Sequence, residues 1–112
     1  MTQDDIRALA LSLPEAVEAP HFDRASFRVR GKIFATLPPS GEDVVLRLPE
    51  LVKESLKQSD PKAYVALPGG WDRGGWTQLT IGRMDAEKMA DLVRLAWRGV
   101  APKRLVAMTG EG

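Results

Sequence analysis

The chain has 112 residues, with 16 lysines and arginines, 15 aspartates and glutamates, one histidine and no cysteine. This length is typical of one domain that buries a core without disulfides. Lack of cysteine excludes a thiolate nucleophile and thiolate metal sites, and a single histidine excludes a two-histidine metal site. We therefore expect neither a metal nor a cofactor. Because the net charge is only +1, any affinity for nucleic acid has to come from local clustering of charge.

The sequence also predicts where the chain resides and how it is divided. No apolar run approaches the roughly 18–20 residues of a membrane-spanning helix, and the acidic residues after Met1 are unlike a signal peptide. A cysteine-free chain fits a reducing compartment. We therefore expect a cytoplasmic protein without a membrane partner, with a single domain over residues 1–108 and a flexible tail over residues 109–112.

Hydrophobic periodicity and turn residues divide the chain into short elements. Thr2 followed by Asp5 predicts a capping box, Gly31 supplies the positive φ of a tight turn, and Pro20 is compatible only with an edge strand or a loop. The predicted elements are a helix over residues 2–13, an edge strand or loop over 15–23, a hairpin over 26–37, a strand over 43–48, a helix over 49–58, strands over 63–67 and 76–81, a helix over 85–99 and a short turn or helix from residue 102.

The order α-β(3)-α-β(2)-α determines the fold class. Consecutive strands with short connections have to pair antiparallel, because parallel pairs need long crossovers. Narrow apolar stripes on the helices fit one layer packed on one sheet face. We predict an α+β two-layer sandwich, with helices on one face of a five-stranded antiparallel sheet and the other face open. The side chains predicted to be buried by the second helix are Leu51, Val52, Ser55 and Leu56. The aromatic residues and methionine assigned to the core are Phe22, Phe27, Phe34, Met89 and Trp97.

Alternation along the strands sorts their side chains between the two faces. The residues expected to face the helices are Phe27, Val29, Val44, Leu46, Leu48, Leu79 and Ile81. The residues expected on the open face are Arg28, Arg30, Arg47, Trp76, Gln78 and Thr80. Residues 24–47 hold five basic residues against Glu42 and Asp43, a local charge of +3. Arginine and tryptophan are typical of binding hot spots, but arginine is also ordinary on a solvated sheet face, and both interpretations stay open.

Two further features have alternative interpretations. Residues 68–75 include four glycines and cannot form a regular element. The amides of this loop could cradle an anion together with Arg73, or Trp71 and Trp76 could pack back onto the domain. His21 is the only imidazole, and no nucleophile or orienting partner is evident for it, so a structural role is expected.

Three stretches resemble the YjbR/MmcQ family over nearly the whole chain: SFRVRGKIFA at residues 26–35, PGGWDRGGWT at residues 68–77, and AWR with APKRL at residues 96–105. The resemblance implies a fold like that of the bacterial frataxin CyaY or the type III secretion chaperones. It also implies DNA binding through a double-wing arrangement. It carries over no catalytic residue: the family's His-x-x-Lys-x-x-Trp pattern corresponds to the region of Trp71, Arg73 and Trp76, where the histidine is missing. No iron site follows, because the first helix offers only Asp4 and Asp5.

Three functions remain. The first is DNA binding through a basic open face, and the second is a protein-binding, peptide-binding or chaperone-like module, or a homodimer, acting through the face that carries tryptophan. The third, a small-ligand enzyme, has the thinnest support, and we expect no catalysis. The candidate binding residues are Arg24, Arg28, Arg30, Lys32, Arg47, Trp71, Arg73 and Trp76.

Overall fold

The computed structural model describes residues 1–68 and 73–108, so the expectations for Trp71 and for a flexible tail over residues 109–112 lie outside the described residues. Helices and strands follow the predicted order closely. The elements are α1 (Gln3–Ser12), β1 (Val17–His21), β2 (Arg24–Val29), β3 (Lys32–Leu37), β4 (Asp43–Arg47), α2 (Glu50–Ser59), β5 (Tyr64–Val65), β6 (Trp76–Thr80), a 3-10 turn (Ile81–Arg83), α3 (Ala86–Val100) and α4 (Lys103–Met108).

One antiparallel sheet runs through the molecule in the order β1-β2-β3-β4-β6-β5. The predicted α+β class and antiparallel pairing are confirmed, with six strands rather than five among the described residues. The additional strand is the segment around Pro20, which pairs with β2 over all five of its residues. Its edge position suits a proline, because an edge strand bonds to a neighbour on one side only.

The helices begin where the sequence predicts. In α1 the Asp5 amide donates to the Thr2 hydroxyl at 3.2 Å, and the Thr2 amide donates to the Asp5 carboxylate at 2.8 Å, which completes the capping box. At the start of α3, the Asp85 carboxylate accepts from the Lys88 amide at 3.0 Å. Within residues 1–68 and 73–108, no helix is long and apolar enough to cross a membrane.

The core lies between the sheet and α1 and α3, with α3 packed on β3 and β4. All seven side chains predicted to face the helices are buried. Trp97 of α3 is completely buried and donates from Nε1 to the Pro14 carbonyl at 3.0 Å, so its one polar group is satisfied where α1 ends. Phe27, Phe34 and Met89 are also fully buried, as predicted.

Two burial predictions were wrong. In α2, Leu56 is buried and Val52 is partly buried as predicted, but Leu51 is 86% exposed, Ser55 is exposed, and Lys53 is buried instead. A ten-residue helix with few apolar positions does not fix its rotation from its sequence alone, and here tertiary packing selects another face. Phe22, assigned to the core, is 91% exposed because it lies in the turn between β1 and β2.

Candidate functional site: a cleft on the open sheet face

The ladder register defines a row of side chains across the open face. Directly paired residues point to the same side of a sheet, and Thr36 pairs with both Ser26 and Val45. The complete row, from β1 to β5, is Ala19, Ser26, Thr36, Val45, Gln78 and Val65. Ser26, Thr36 and Val45 are at most 6% exposed although they lie opposite the helix layer. The side chains at the centre of the open face are therefore closely packed among their neighbours although no helix covers them.

A cleft of about 400 Å³ lies over this row. Ile33, Thr36, Val45 and Gln78 form its floor, and Trp76 lines it from β6. One wall is the turn that joins β1 to β2, and the other is formed by Leu67 and Pro68; the wall residues of the turn are His21, Phe22, Asp23 and Arg24. A mostly apolar concave surface of this volume, with a few polar groups, is typical of ligand-binding and side-chain-binding sites.

The lip of the cleft carries Phe22 in an unusual conformation. Its φ of 56° lies in the left-handed region, and its side chain is 91% exposed. The left-handed region costs a bulky L-residue roughly 1–2 kcal/mol. The ring contacts the His21 imidazole edge-on, with 4.7 Å between the ring centroids. The lip of the cleft thus presents an aromatic ring to solvent directly beside an apolar concave surface.

Arg28 lies on the open face, as predicted, together with Arg24, and both are held by local partners. Nε of Arg24 donates to the Asp23 carboxylate at 3.2 Å. Nε of Arg28 donates to the Ser26 hydroxyl at 3.0 Å, and Nη2 donates to the Pro20 carbonyl at 3.3 Å. These contacts position the two guanidinium groups along the β1 side of the face, and the Asp23 carboxylate offsets the charge of Arg24.

Arg30 and Lys32 do not lie on the open face. Arg30 and Gly31 form a two-residue turn with φ of 51° and 82°, and Arg30 donates to both carboxylate oxygens of Glu15, at 3.1 and 3.4 Å. This bond holds the pKa of the Glu15 carboxyl below its usual range. Lys32 pairs with buried Val29, so its Cβ points to the helix side of the sheet. The local charge of +3 is thus divided between different surfaces.

Arg47 and Trp76 face each other across β4 and β6, and both point to the open face. Trp76 is half-buried in the cleft wall, whereas Arg47 is exposed and has no ion pair or hydrogen bond within the described parts of the chain. Arg73 is also exposed, three residues before Trp76. Among the predicted binding residues, the fold therefore brings Arg24 and Trp76 to the cleft and places Arg47 directly opposite Trp76.

Comparison with known proteins places the chain in a family. The model of the YjbR family matches residues 11–99. The chain belongs to the YjbR family. A similar solved structure is the crystal structure of the Deinococcus radiodurans protein DR2400, with the family domain DUF419. It is 22% identical, with a TM-score of 0.79, over 99% of this chain and 89% of that chain. At this identity the likeness shows the fold alone. No curated protein matches.

In this YjbR-family chain, the glycine-rich loop returns to the sheet at Gly75. The Gly75 amide donates to the Glu50 carboxylate at 2.9 Å, and its carbonyl accepts from the Leu48 amide at 2.9 Å. A Cβ at Gly75, whose φ is 81°, would lie 1.9 Å from the Leu48 carbonyl oxygen. At this end of the loop the glycine is required for close backbone packing. The anion-cradle hypothesis rests mainly on residues 69–72, outside the described residues.

Sequence reasoning missed the turn that forms the first wall of the YjbR-domain cleft. A two-residue hairpin turn is normally signalled by Asn-Gly, Asp-Gly or a similar pair, and Phe22-Asp23 gives no such signal. The alternation on either side, in residues 17–21 and 24–29, could have revealed the hairpin. Across residues 1–68 and 73–108, histidine and carboxylate side chains nowhere gather in threes that could hold a metal ion.

Proposed function

We propose that the open-face cleft binds an apolar or aromatic side chain of a partner polypeptide, and that the domain is a binding module rather than an enzyme. The observation that carries this proposal is the cleft itself, which has an apolar floor and an exposed, conformationally strained Phe22 at its lip. Burial of an aromatic group against Ile33, Val45 and Trp76 would remove apolar surface of both partners from water.

The polar groups of the cleft fit recognition of a polypeptide. Nε2 of Gln78 donates to the Asp43 carboxylate at 2.8 Å. This bond fixes the orientation of the amide, so that its oxygen can accept a hydrogen bond from a ligand. The Thr36 hydroxyl lies in the same floor, on the far side of Val45. A few fixed polar groups in an otherwise apolar site are what orient a bound side chain and its neighbouring peptide groups.

The surroundings of His21 support a non-catalytic role. A general base needs an orienting hydrogen-bond partner and a reacting group within reach. His21 packs its imidazole against the ring of Phe22, and no hydrogen bond ties the imidazole to a carboxylate in the described ranges. The imidazole therefore serves to support the exposed ring at the lip.

A thermal-unfolding experiment with a small probe tests this proposal. N-acetyl-L-tryptophanamide at about ten times its Kd should stabilise the protein by about 1.4 kcal/mol, a shift of several degrees in Tm. N-acetyl-L-alaninamide should give no shift. Ile33→Arg, which places a charged chain in the floor of the cleft, should abolish the effect, whereas Leu51→Arg on exposed α2 should preserve it. An equal shift in both variants, or none in the wild type, would contradict the proposal.

A second candidate function, binding of single-stranded nucleic acid, is favoured by one observation. Arg47 lies directly opposite Trp76 on the open face, with Arg73 exposed nearby. A base stacked on the tryptophan with a phosphate near the guanidinium is a common arrangement in such proteins. The Asp23 and Asp43 carboxylates near the cleft weaken this candidate, because they offset the positive charge.

Fluorescence anisotropy with a labelled oligothymidylate of about 20 nucleotides tests the second candidate. Binding at low salt should weaken steeply towards about 0.15 M salt. Arg47→Glu should reduce the affinity, whereas Lys103→Glu, an equal charge change on α4, should leave it nearly unchanged. If the two variants bind equally, the open face does not carry the nucleic acid.

A further inference from the structure

We infer that the polypeptide which the cleft receives is a second copy of this chain, so that Phe22 of each protomer enters the cleft of the other in a two-fold symmetric dimer. This inference rests on the proposed function, since it names the partner of the same cleft. The exposed ring at the lip and an aromatic-sized, apolar cleft of about 400 Å³ belong to one continuous surface.

Two-fold symmetry limits where a projecting group and its pocket can lie. In a two-fold dimer the same surface patch of both protomers meets itself, so a projecting group and its receiving pocket have to lie side by side on one patch. Phe22 meets this condition, because it lines the cleft on one side of the turn and a shallow depression formed by β1 and the turn on the other. Phe22 therefore lies on the ridge between the cleft and the depression. A rotation by 180° about a nearby two-fold axis can place it over the cleft of the other protomer.

The charges beside Phe22 are complementary to themselves under a two-fold rotation. Asp23 and Arg24 occupy adjacent positions beside Phe22, with their side chains 3.2 Å apart and 64% and 30% exposed. A two-fold axis near the turn would bring the Asp23 carboxylate of one protomer towards the Arg24 guanidinium of the other, and the reverse. Such exchange of ion-pair partners keeps each charge neutralised while fixing the register of the two protomers.

The conformation and exposure of Phe22 also favour a partner at the turn. A positive φ at a phenylalanine is unfavourable in the isolated domain, and 91% exposure leaves its ring in water. Burial of the ring in a second protomer would supply the apolar contact that this chain lacks at the turn. Val17, 54% exposed, points to the same face from β1, which extends the apolar surface along the edge strand.

Sedimentation equilibrium over a range of protein concentrations tests the dimer. The wild type should pass from monomer to dimer as the concentration rises. Phe22→Ala removes both projecting rings of a symmetric dimer and should weaken the association about 10³-fold, the effect of losing two hot-spot residues worth about 2 kcal/mol each. Leu51→Ala removes an equally exposed apolar side chain from α2 and should change it less than about twofold.

Two further variants separate a specific interface from general stickiness. Phe22→Ala keeps an open cleft without a ring, and Ile33→Arg keeps the ring with a blocked cleft, so an equimolar mixture should form heterodimers although neither variant dimerises alone. Asp23→Arg should oppose association through repulsion from Arg24, and the double exchange Asp23→Arg with Arg24→Asp should restore it. Restoration in both experiments is the expected result.

The outcomes distinguish this inference from the proposed function. A wild type that stays monomeric up to about 1 mM, a concentration at which a 1 mM Kd gives readily measured association, overturns the dimer. The same holds if Phe22→Ala and Leu51→Ala behave alike, or if the mixture of variants stays monomeric. If N-acetyl-L-tryptophanamide then still stabilises the wild type and not Ile33→Arg, the cleft binds a different polypeptide. If the probe also fails, both proposals are wrong.

Discussion

The two faces of the sheet carry neighbouring residues of the same strands but are closed in different ways. On the helix face, Val44 and Leu46 of β4 are fully buried under α3. On the open face, Val45 of the same strand is 6% exposed, in the floor of a cleft bounded by the β1–β2 turn and by Leu67 and Pro68. A buried residue on the first face belongs to a close-packed core, whereas a buried residue on the second lies under a space that a partner can fill.

This difference shows why fractional exposure alone does not separate core from site. Val44 and Val45 have nearly the same exposure, yet only Val45 borders a concave surface open to solvent. A polar substitution should therefore cost less stability on the open face than on the helix face, since water reaches the open face and not the core.

Gly75→Ala should have the largest effect on stability, because the Gly75 backbone packs directly against the backbone of Leu48 just before β6 begins. Its new Cβ would lie 1.9 Å from the Leu48 carbonyl oxygen, and φ is 81°. We expect a loss of about 3 kcal/mol in the free energy of unfolding, from overpacking and backbone strain together. Urea denaturation measures it. Gly99→Ala in α3, with nothing within 4 Å of its Cβ, should be neutral or stabilising, and an equal loss there would refute the packing argument.

Val44→Thr and Val45→Thr compare the two faces directly, with one substitution at adjacent positions. On the helix face the buried hydroxyl should cost about 2 kcal/mol of the free energy of unfolding. On the open face the cost should stay below about 1 kcal/mol, because the hydroxyl can bond to water in the cleft. Urea denaturation of both variants is the measurement. Equal losses would mean that the floor of the cleft is as enclosed as the core.

Phe22→Asn should raise the stability of the monomer by about 0.5–1 kcal/mol, since asparagine tolerates a positive φ and little ring contact is lost. Thermal unfolding of dilute protein measures this gain. Arg30→Asn relaxes a similar conformation at the neighbouring turn but removes the bonds to Glu15, so its gain should be smaller. Added salt should narrow the difference between the variants. A destabilised Phe22→Asn would show that the ring is needed for folding rather than for binding.

Part of the pH dependence of stability should come from Asp60, at the end of α2. This is the smallest of the predicted effects. Hydrogen bonds from Lys88 and Ser59 hold the pKa of the Asp60 carboxyl below its usual range. A carboxyl whose pKa is lowered on folding stabilises the protein above the unfolded pKa, and this contribution is lost as the pH falls below about 4. Lys88→Met should therefore reduce the loss of stability on acidification. Arg94→Met, a charge removal on the same helix, is the control, and identical profiles would contradict the assignment.

Much of the fold follows from local signals in the sequence. The capping box of Thr2 and Asp5, the cap at Asp85 and the positive φ of Gly31 are all present as predicted. Strand alternation placed all seven predicted side chains in the core. These features depend on residues within a few positions of one another or on a strict period of two, so one sequence suffices to predict them.

The cleft was less predictable because it depends on tertiary placement. Alternation predicted an outward Trp76 and Gln78, and both line the cleft. It misplaced Arg30, because the turn at residues 30–31 ends the strand pattern earlier than the sequence indicates. The turn at Phe22 contains no glycine or asparagine that would have signalled it. The burial of Phe22 was misjudged for the same reason. A concave site joins distant segments, and its presence follows only once the sheet is assembled.

The most direct test of the account is a map of backbone amide shifts in ¹⁵N-labelled protein on addition of N-acetyl-L-tryptophanamide. If the cleft on the open face binds an aromatic side chain, the largest shifts should fall on Thr36, Val45 and Gln78 and on the turn at Phe22. Amides of α3 on the opposite face should move little. Shifts confined to the helix layer, or no saturable shifts in the cleft, would contradict the central claim.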